Sequence, residues 1–271
     1  MTLQDLQVFY TRDSEAILAD AQHLEAHEAL LAALESGSLR AAARDASGEW
    51  SAVAWVKTAI LAGFRRFNLQ AFDGPGFPFF DKGAYPPRAF TLEDAVRLVP
   101  GGSSARRGAF VGKGVVVMPP AYINVGAFVD EGTMVDSHAL VGSCAQIGRR
   151  VHLSAGAQVG GVLEPAGARP VVIEDETFIG GLVGLFEGIV VRKRAVLASG
   201  VVITGGTVIY DLVRGRELRR EVPENAVVVP GSRPASGAFA KERGLQLQAP
   251  CIVKYRDPKT DAATALEEAL R

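Results

Sequence analysis

"TMVDSHALVGSCAQIGRRVHLSAGAQVG", residues 133–160, decides the fold. Split into sixes it reads TMVDSH, ALVGSC, AQIGRR, VHLSAG, AQVG, with Val135, Val141, Ile147, Leu153 and Val159 at every third place. The same phase runs upstream through AFVGKG, VVVMPP, AYINVG and AFVDEG, whose third places are Val111, Val117, Ile123 and Val129. Downstream, LEPAGARP at 163–170 interrupts; the repeat resumes shifted by two, with Ile173, Ile179, Leu185, Val191, Leu197, Ile203 and Ile209. All sixteen positions are β-branched or Leu. A period of six is neither the 3.6 of a helix nor the alternation of an ordinary strand. It fits short strands joined by sharp corners, three to each turn of a triangular prism. Each third-place side chain then points inward and stacks on the residue eighteen later, Val117 on Val135 and Val135 on Leu153. At ~1.5–3 kcal/mol per buried aliphatic side chain, the column contributes on the order of tens of kcal/mol before chain entropy is set against it. Gly112, Gly142, Gly148, Gly160 and Gly180 occupy the fourth place, where the chain turns.

The flanks read differently. "SEAILADAQHLEAHEALLAALESGSLRAA" places Ile17, Leu18, Ala21, Leu24, Ala29, Leu30 and Leu34 at helical spacing, ending at Ser36-Gly37. "SAVAWVKTAILAGFRRF" repeats this with Val53, Val56, Ile60 and Phe64. "FDGPGFPFFDKGAYPP" reads as a loop with aromatic anchors, and "TLEDAVRLV" as a short helix behind a Thr N-cap. "VPENAVVVPGSRP" and "QAPCIVKYRDPKTDAATALEEALR" read as strands and a final helix. A regular solenoid needs both ends covered. The expected organisation is therefore a helical domain over 1–107, a coil over 108–212 and a cap over 213–271, a mainly β chain. Formal charge is −1 over 271 residues, so no basic field recruits nucleic acid or anionic membrane. No apolar run is long enough to span a bilayer, and "MTLQDLQVFYTRDSEA" has no signal pattern. Two cysteines, Cys144 and Cys251, suit a reducing cytoplasm.

The stretch "VMPPAYINVGAFVDEGTMVDSHALVGSCAQIGRRVHLSAGAQVGGVLEP" resembles the tetrahydrodipicolinate N-succinyltransferase family of hexapeptide acyltransferases. "AWVKTAILAGFR", "FFDK", "IYD" and, more loosely, "IVKYRD" match it as well, so the likeness covers about residues 50–260. It implies a left-handed parallel β-helix, which no local rule predicts given the usual right-handed crossover. It also implies a homotrimer with sites in grooves between neighbouring coils. The implied reaction moves a succinyl group from succinyl-CoA to the amino group of ring-opened tetrahydrodipicolinate, in diaminopimelate and lysine biosynthesis. The alternatives are the same substrate with acetyl-CoA, or another CoA-dependent hexapeptide acyltransferase.

An amine attacks a thioester only after losing a proton, so the site needs a proton acceptor. The resemblance assigns substrate contact and catalysis to Asp136, whose corner place leaves it outside the aliphatic column. Asp130, one hexad earlier, is expected to bond local backbone. Many relatives read IGARSEVVEG where this chain has IGGLVGLFEG, residues 179–188, so Gly184 stands at the place of a proposed acid/base glutamate and Leu182 at that of an arginine. Either Glu187 takes over proton transfer or Asp136 works alone with water. Arg97 matches the substrate-binding arginine, whose fork suits a carboxylate; Arg65 and Arg106 are weaker candidates. Arg192 and Lys193 of the RKR run, with Lys254 and Arg256, are candidates for the CoA phosphates. His138 and His152 read as structural, and Cys144 as a buried filler. His23 and His27 lack a third ligand, so no metal is expected. A metal hydratase on this coil needs three converging histidines, and a sugar-nucleotide transferase needs a Gly-rich nucleotide domain. A purely structural solenoid leaves Asp136 without a task. Phe128 and Met134 are expected to be exposed and to pack between chains.

Overall fold

The computed structural model describes residues 1–73 and 78–257. Two-residue strands recur every six residues and stack in parallel into three faces. The first face carries Arg97–Leu98, Val116–Val117, Met134–Val135, His152–Leu153, Phe178–Ile179 and Val196–Leu197. The second carries Ser104–Ala105, Tyr122–Ile123, Leu140–Val141, Gln158–Val159, Gly184–Leu185 and Val202–Ile203. The third carries Phe110–Val111, Phe128–Val129, Gln146–Ile147, Val172–Ile173, Val190–Val191 and Glu221–Val222. Successive strands on one face sit about 4.8 Å apart along the prism axis. The fold is a left-handed parallel β-helix, mainly β as expected.

Every one of the sixteen third-place residues is buried, none more than 4% exposed. Val117, Val135 and Leu153 pair in register. Leu153 then pairs with Ile179, because the excursion at 161–170 adds residues without disturbing the ladder. The glycines at the corners are steric requirements: a Cβ at Gly142 would collide with the Gly161 backbone where the excursion crosses it.

The parallel ladders begin at Arg97, before the first clean hexad, and end at Val227–Val228, beyond residue 212. The last hexad leaves the stack. Val208–Asp211 turns into an antiparallel hairpin with Arg216–Arg219, Ile209 opposite Leu218, and the coil closes through Glu221–Val222 instead. The tail Ala226–Pro234 and Gln246–Tyr255 pairs antiparallel. The expected final helix lies outside the described residues.

The head holds α1 (Leu3–Tyr10), α2 (Ser14–Ala19), α3 (His23–Glu35) and α4 (Ala54–Arg66). The single helix expected over 14–35 is broken at Asp20, whose side chain accepts from the Gln22 amide at 2.8 Å and whose backbone is extended. Beyond the break, Leu24 is 54% exposed, Leu30 and Leu34 are buried as expected, and His23, Ala26 and His27 join them on the inward face. The expected loop at 71–87 contains a hairpin, Leu69–Phe72 with Phe79–Lys82. The short helix expected over 91–99 is one 3-10 turn, Leu92–Asp94. Ala95 then takes a left-handed conformation, and pairing with Val116–Val117 draws Arg97–Leu98 into a strand.

The head is fastened to the coil by side chains that cross between them. The Arg40 Nε donates to Gln146 Oε1 at 2.9 Å, and its guanidinium lies 3.7 Å over the Phe128 ring. Phe128 also stacks on Phe110 at 4.3 Å and is buried, so it is a contact of the head with its own coil and not an exposed face. Met134 stays half-exposed. Lys57, fully buried on α4, donates to the carbonyls of Pro165 at 3.0 Å and Ala168 at 2.6 Å, fixing the excursion loop. Burial lowers the Lys57 ammonium pKa and pushes the neighbouring Cys144 thiol up to about 12, so Cys144 is an inert filler.

Candidate active site

The corner between the first and second faces carries Asp136. It follows Val135, whose burial in the column forces the next residue outward, and its amide is held by the Leu153 carbonyl at 2.9 Å. The carboxylate is half-buried. Its Oδ1 accepts from the Ser137 amide at 2.7 Å, the same local bond that Asp130 makes to Glu131 at 2.8 Å. The two differ at the other oxygen. Asp130 Oδ2 faces Arg149 Nε at 3.5 Å, whereas Asp136 Oδ2 has no hydrogen bond or ion pair among the described residues. A carboxylate anchored by one oxygen and open at the other is fit to receive a proton or hold an ammonium.

His152 stands beside it on the first face. Its ring stacks on Phe178 at 5.0 Å and 14°, and burial lowers its pKa, with the Asp136 charge opposing that shift. The imidazole is therefore kept neutral around physiological pH, next to the open carboxylate. That proximity follows from the eighteen-residue turn, which stacks Val135 on Leu153 and so brings His152 to the Asp136 corner. Arg97 is exposed on the first face, two coils before Met134 and hence about 10 Å along the axis from the level of Asp136.

The remaining sequence candidates are not gathered there. Glu187 lies two coils beyond Asp136, at the corner between the second and third faces, with its backbone in the left-handed region at φ 55°. Its Oε2 accepts from the Gly205 amide at 2.9 Å, tying one coil to the next. Within one chain it does not meet Asp136. Gly184 sits on the second face, where a Cβ would come within 2.7 Å of the Phe186 ring. Phe186 thus covers the place at which the family resemblance puts a glutamate.

Arg192, expected at CoA phosphates, is instead enclosed within the chain. It donates to the Gly48 carbonyl at 2.8 Å and meets Glu49 at 2.8 Å, Glu174 at 3.2 Å and Glu221 at 2.7 Å. Three carboxylates and the Gly48 carbonyl take up both Nη groups of this half-buried guanidinium, so its fork is not free for a ligand. Lys193 is exposed at the corner between the third and first faces, 3.8 Å from Glu176. Lys254 is half-buried on the last strand, opposite Val227, and Arg256 donates to the Arg194 carbonyl at 3.1 Å. All four lie off the corner that carries Asp136. Arg106 pairs with Asp81, and Arg65 reaches Ser14 at 3.3 Å. His138, exposed on a left-handed corner, contributes its carbonyl to Gln158 at 3.1 Å. No cluster of three metal-ligating side chains occurs among the described residues.

A prism of hexapeptide coils with an open carboxylate on one corner defines the class of hexapeptide-repeat transferases, and comparison with known proteins agrees. Residues 7–65 match the family model for the tetrahydrodipicolinate N-succinyltransferase N-terminal region, and residues 170–205 that for the hexapeptide repeat of succinyl-transferase. A Rhodopseudomonas palustris 2,3,4,5-tetrahydropyridine-2,6-dicarboxylate N-succinyltransferase is 43% identical, covering 97% of this chain and 95% of its own length. The Aromatoleum aromaticum protein of the same name is 45% identical over 93% and 91%. A solved structure from Campylobacter jejuni, named a 2,3,4,5-tetrahydropyridine-2-carboxylate N-succinyltransferase, superposes with a TM-score of 0.55 at 13% identity. That superposition covers 92% of this chain but 64% of the other, and shows the fold alone. The chain belongs to the tetrahydrodipicolinate N-succinyltransferase family.

Proposed function

We propose that this protein transfers the succinyl group of succinyl-CoA to the amino group of tetrahydropyridine-2,6-dicarboxylate in its ring-opened form, within diaminopimelate and lysine biosynthesis. The observation that carries this reading is the 43% identity across 97% of the chain, which takes in head, coil and tail together. In the reaction the amine nitrogen attacks the thioester carbonyl carbon, an N–C bond forms, and the C–S bond breaks. One proton leaves the amine and one joins the departing CoA sulfur, so the carboxylate needs only to hold a proton between the two events. Asp136 takes that part, supported by its open oxygen and the neutral His152 beside it. Arg97 binds a substrate carboxylate. Glu187 accepts from the Gly205 amide through one oxygen and lies two coils from Asp136 within one chain, so it is assigned to holding the coil.

The protein works as a homotrimer in the cytoplasm, with the site completed between chains. In that arrangement the second face of one copy can lie opposite the Asp136 corner of the next, which a single chain cannot achieve. The test is thiol release by the purified protein, supplied with the ring-opened acceptor and either succinyl-CoA or acetyl-CoA. Release with succinyl-CoA at a kcat/KM at least about tenfold above acetyl-CoA is expected. The reverse preference would replace the donor, and release with neither would overturn the reading.

A further inference from the structure

The hairpin that leaves the coil at its far end carries Arg214, Arg216, Arg219 and Arg220 against two acids, the buried Asp211 and Glu217, in a chain whose net charge is −1. All four arginines are exposed. One of them anchors the hairpin: Arg216 Nε lies 3.3 Å from Asp211 Oδ2, and that buried carboxylate also accepts from the Tyr255 hydroxyl at 2.7 Å. Tyr255 in turn supports Arg214, whose guanidinium sits 3.9 Å above its ring. Arg219 Nη1 donates to the Gly206 carbonyl at 2.9 Å. None of Arg214, Arg219 and Arg220 forms an ion pair among the described residues, in contrast to the enclosed Arg192. Glu187 and Glu221 border the hairpin base without pairing with these three.

We infer that this hairpin is the docking site for the phosphates of the acyl-CoA donor, held by Arg214, Arg219 and Arg220; the inference rests on the donor reading above. Guanidinium forks on a rigid support suit the 5′-diphosphate and 3′-phosphate, whose oxygens accept paired hydrogen bonds. The position also suits the donor's shape. Asp136 marks the third coil, and the hairpin's base, where Arg219 meets Gly206, leaves from the sixth. Carboxylate and base are therefore about 14 Å apart along the axis with the second face between them, and Arg214 stands farther out over Tyr255. That face presents Leu140, Gln158 and Val202, with Phe186 over the buried Gly184, a surface without formal charge. An uncharged pantetheine arm can lie across it, thioester toward Asp136 and diphosphate toward the arginines. Four arginines in seven residues then have a purpose that a solvated charge run does not supply.

Steady-state kinetics of the full chain with two donors test this. Succinyl-CoA carries the phosphates, and succinyl-pantetheine has the same arm and acyl group without them. The variant R214S/R219S/R220S spares Arg216 and so keeps the Asp211 anchor. It is expected to raise KM for succinyl-CoA about tenfold or more with little change in kcat, while kcat/KM for succinyl-pantetheine stays within about twofold of wild type. An unchanged KM for succinyl-CoA, or equal losses with both donors, would overturn the assignment. Should the wild type turn over neither donor, the donor reading fails separately, and calorimetric binding of CoA itself decides the hairpin: retained binding in the triple variant overturns it. Loss of oligonucleotide binding with CoA affinity unchanged would assign the arginines to nucleic acid and also overturn it.

Discussion

In the coil, backbone amides bond carbonyls of the neighbouring turn, and the interior is a column of Val, Ile, Leu and Ala in which the buried Thr133 and Thr177 hydroxyls bond the Gly148 and Glu174 carbonyls. The head is built differently. Its aliphatic core holds an aromatic cluster, Tyr10, His23, His27, Phe67 and Tyr85 packed edge to face or tilted, and encloses polar atoms that find no partner among the described residues: Tyr10 Oη, both ring nitrogens of His23, and His27 Nδ1. Repetition lets the coil satisfy its polar groups by one rule applied at every turn. The head must satisfy each by a separate arrangement, and at the histidine pair it does not. The coil therefore depends on volume and the head on the charge state of its core.

Volume should dominate where the column is cut. Leu153→Ala removes a rung between Val135 and Ile179 and should cost ~2–5 kcal/mol in urea unfolding at fixed protein concentration, because neighbouring rungs are held by their own ladders and close the gap poorly. A loss below about 1 kcal/mol would mean that the ladders, not the column, carry the coil.

Charge should show next, and in the head. Burial, reinforced by His27 and Arg66, holds His23 down to about 4, whereas in the unfolded chain it takes up a proton near its ordinary value of about 6.5. Asp20 opposes this shift, and His27 is lowered by burial in the same direction. The unfolded state therefore binds more protons between these limits. The stability of the head is complete above about pH 6.5 and declines as pH falls toward 4. Melting followed across that window should show a falling Tm in the wild type and a flatter profile in His23→Phe. Equal slopes in both would remove His23 from the account.

The same contrast explains what could be read in advance. Sixteen aliphatic positions shared one phase, so the prism, its corners and the outward place of Asp136 were legible residue by residue. The phase alone misled at Ile209, which keeps the hexad spacing and is buried but belongs to a hairpin, because Asp211 anchors a turn that the pattern does not encode. Phe128 looked exposed for a related reason: an outward place on a coil is free only until another unit covers it, and Arg40 covers this one. In the head, the break at Asp20 and the inward turn of His23 follow from a side chain capping the Gln22 amide, a local bond that apolar spacing does not register. Arg192 was read by its charge, and its three carboxylate partners come from the head, the third face and the coil's last turn. Contacts between units have no period, so spacing could not find them.

The account stands on the coil presenting the Asp136 carboxylate, open at one oxygen, as the group that takes the amine proton. Turnover of Asp136→Asn and Glu187→Gln, measured with succinyl-CoA alongside the wild type and with melting temperature recorded, addresses this most directly. Asp136→Asn should melt like the wild type and lose about 10²-fold or more in kcat, and Glu187→Gln should keep its turnover. An Asp136→Asn protein that still turns over within a few-fold of wild type, or a Glu187→Gln protein that loses activity while fully folded, would contradict it.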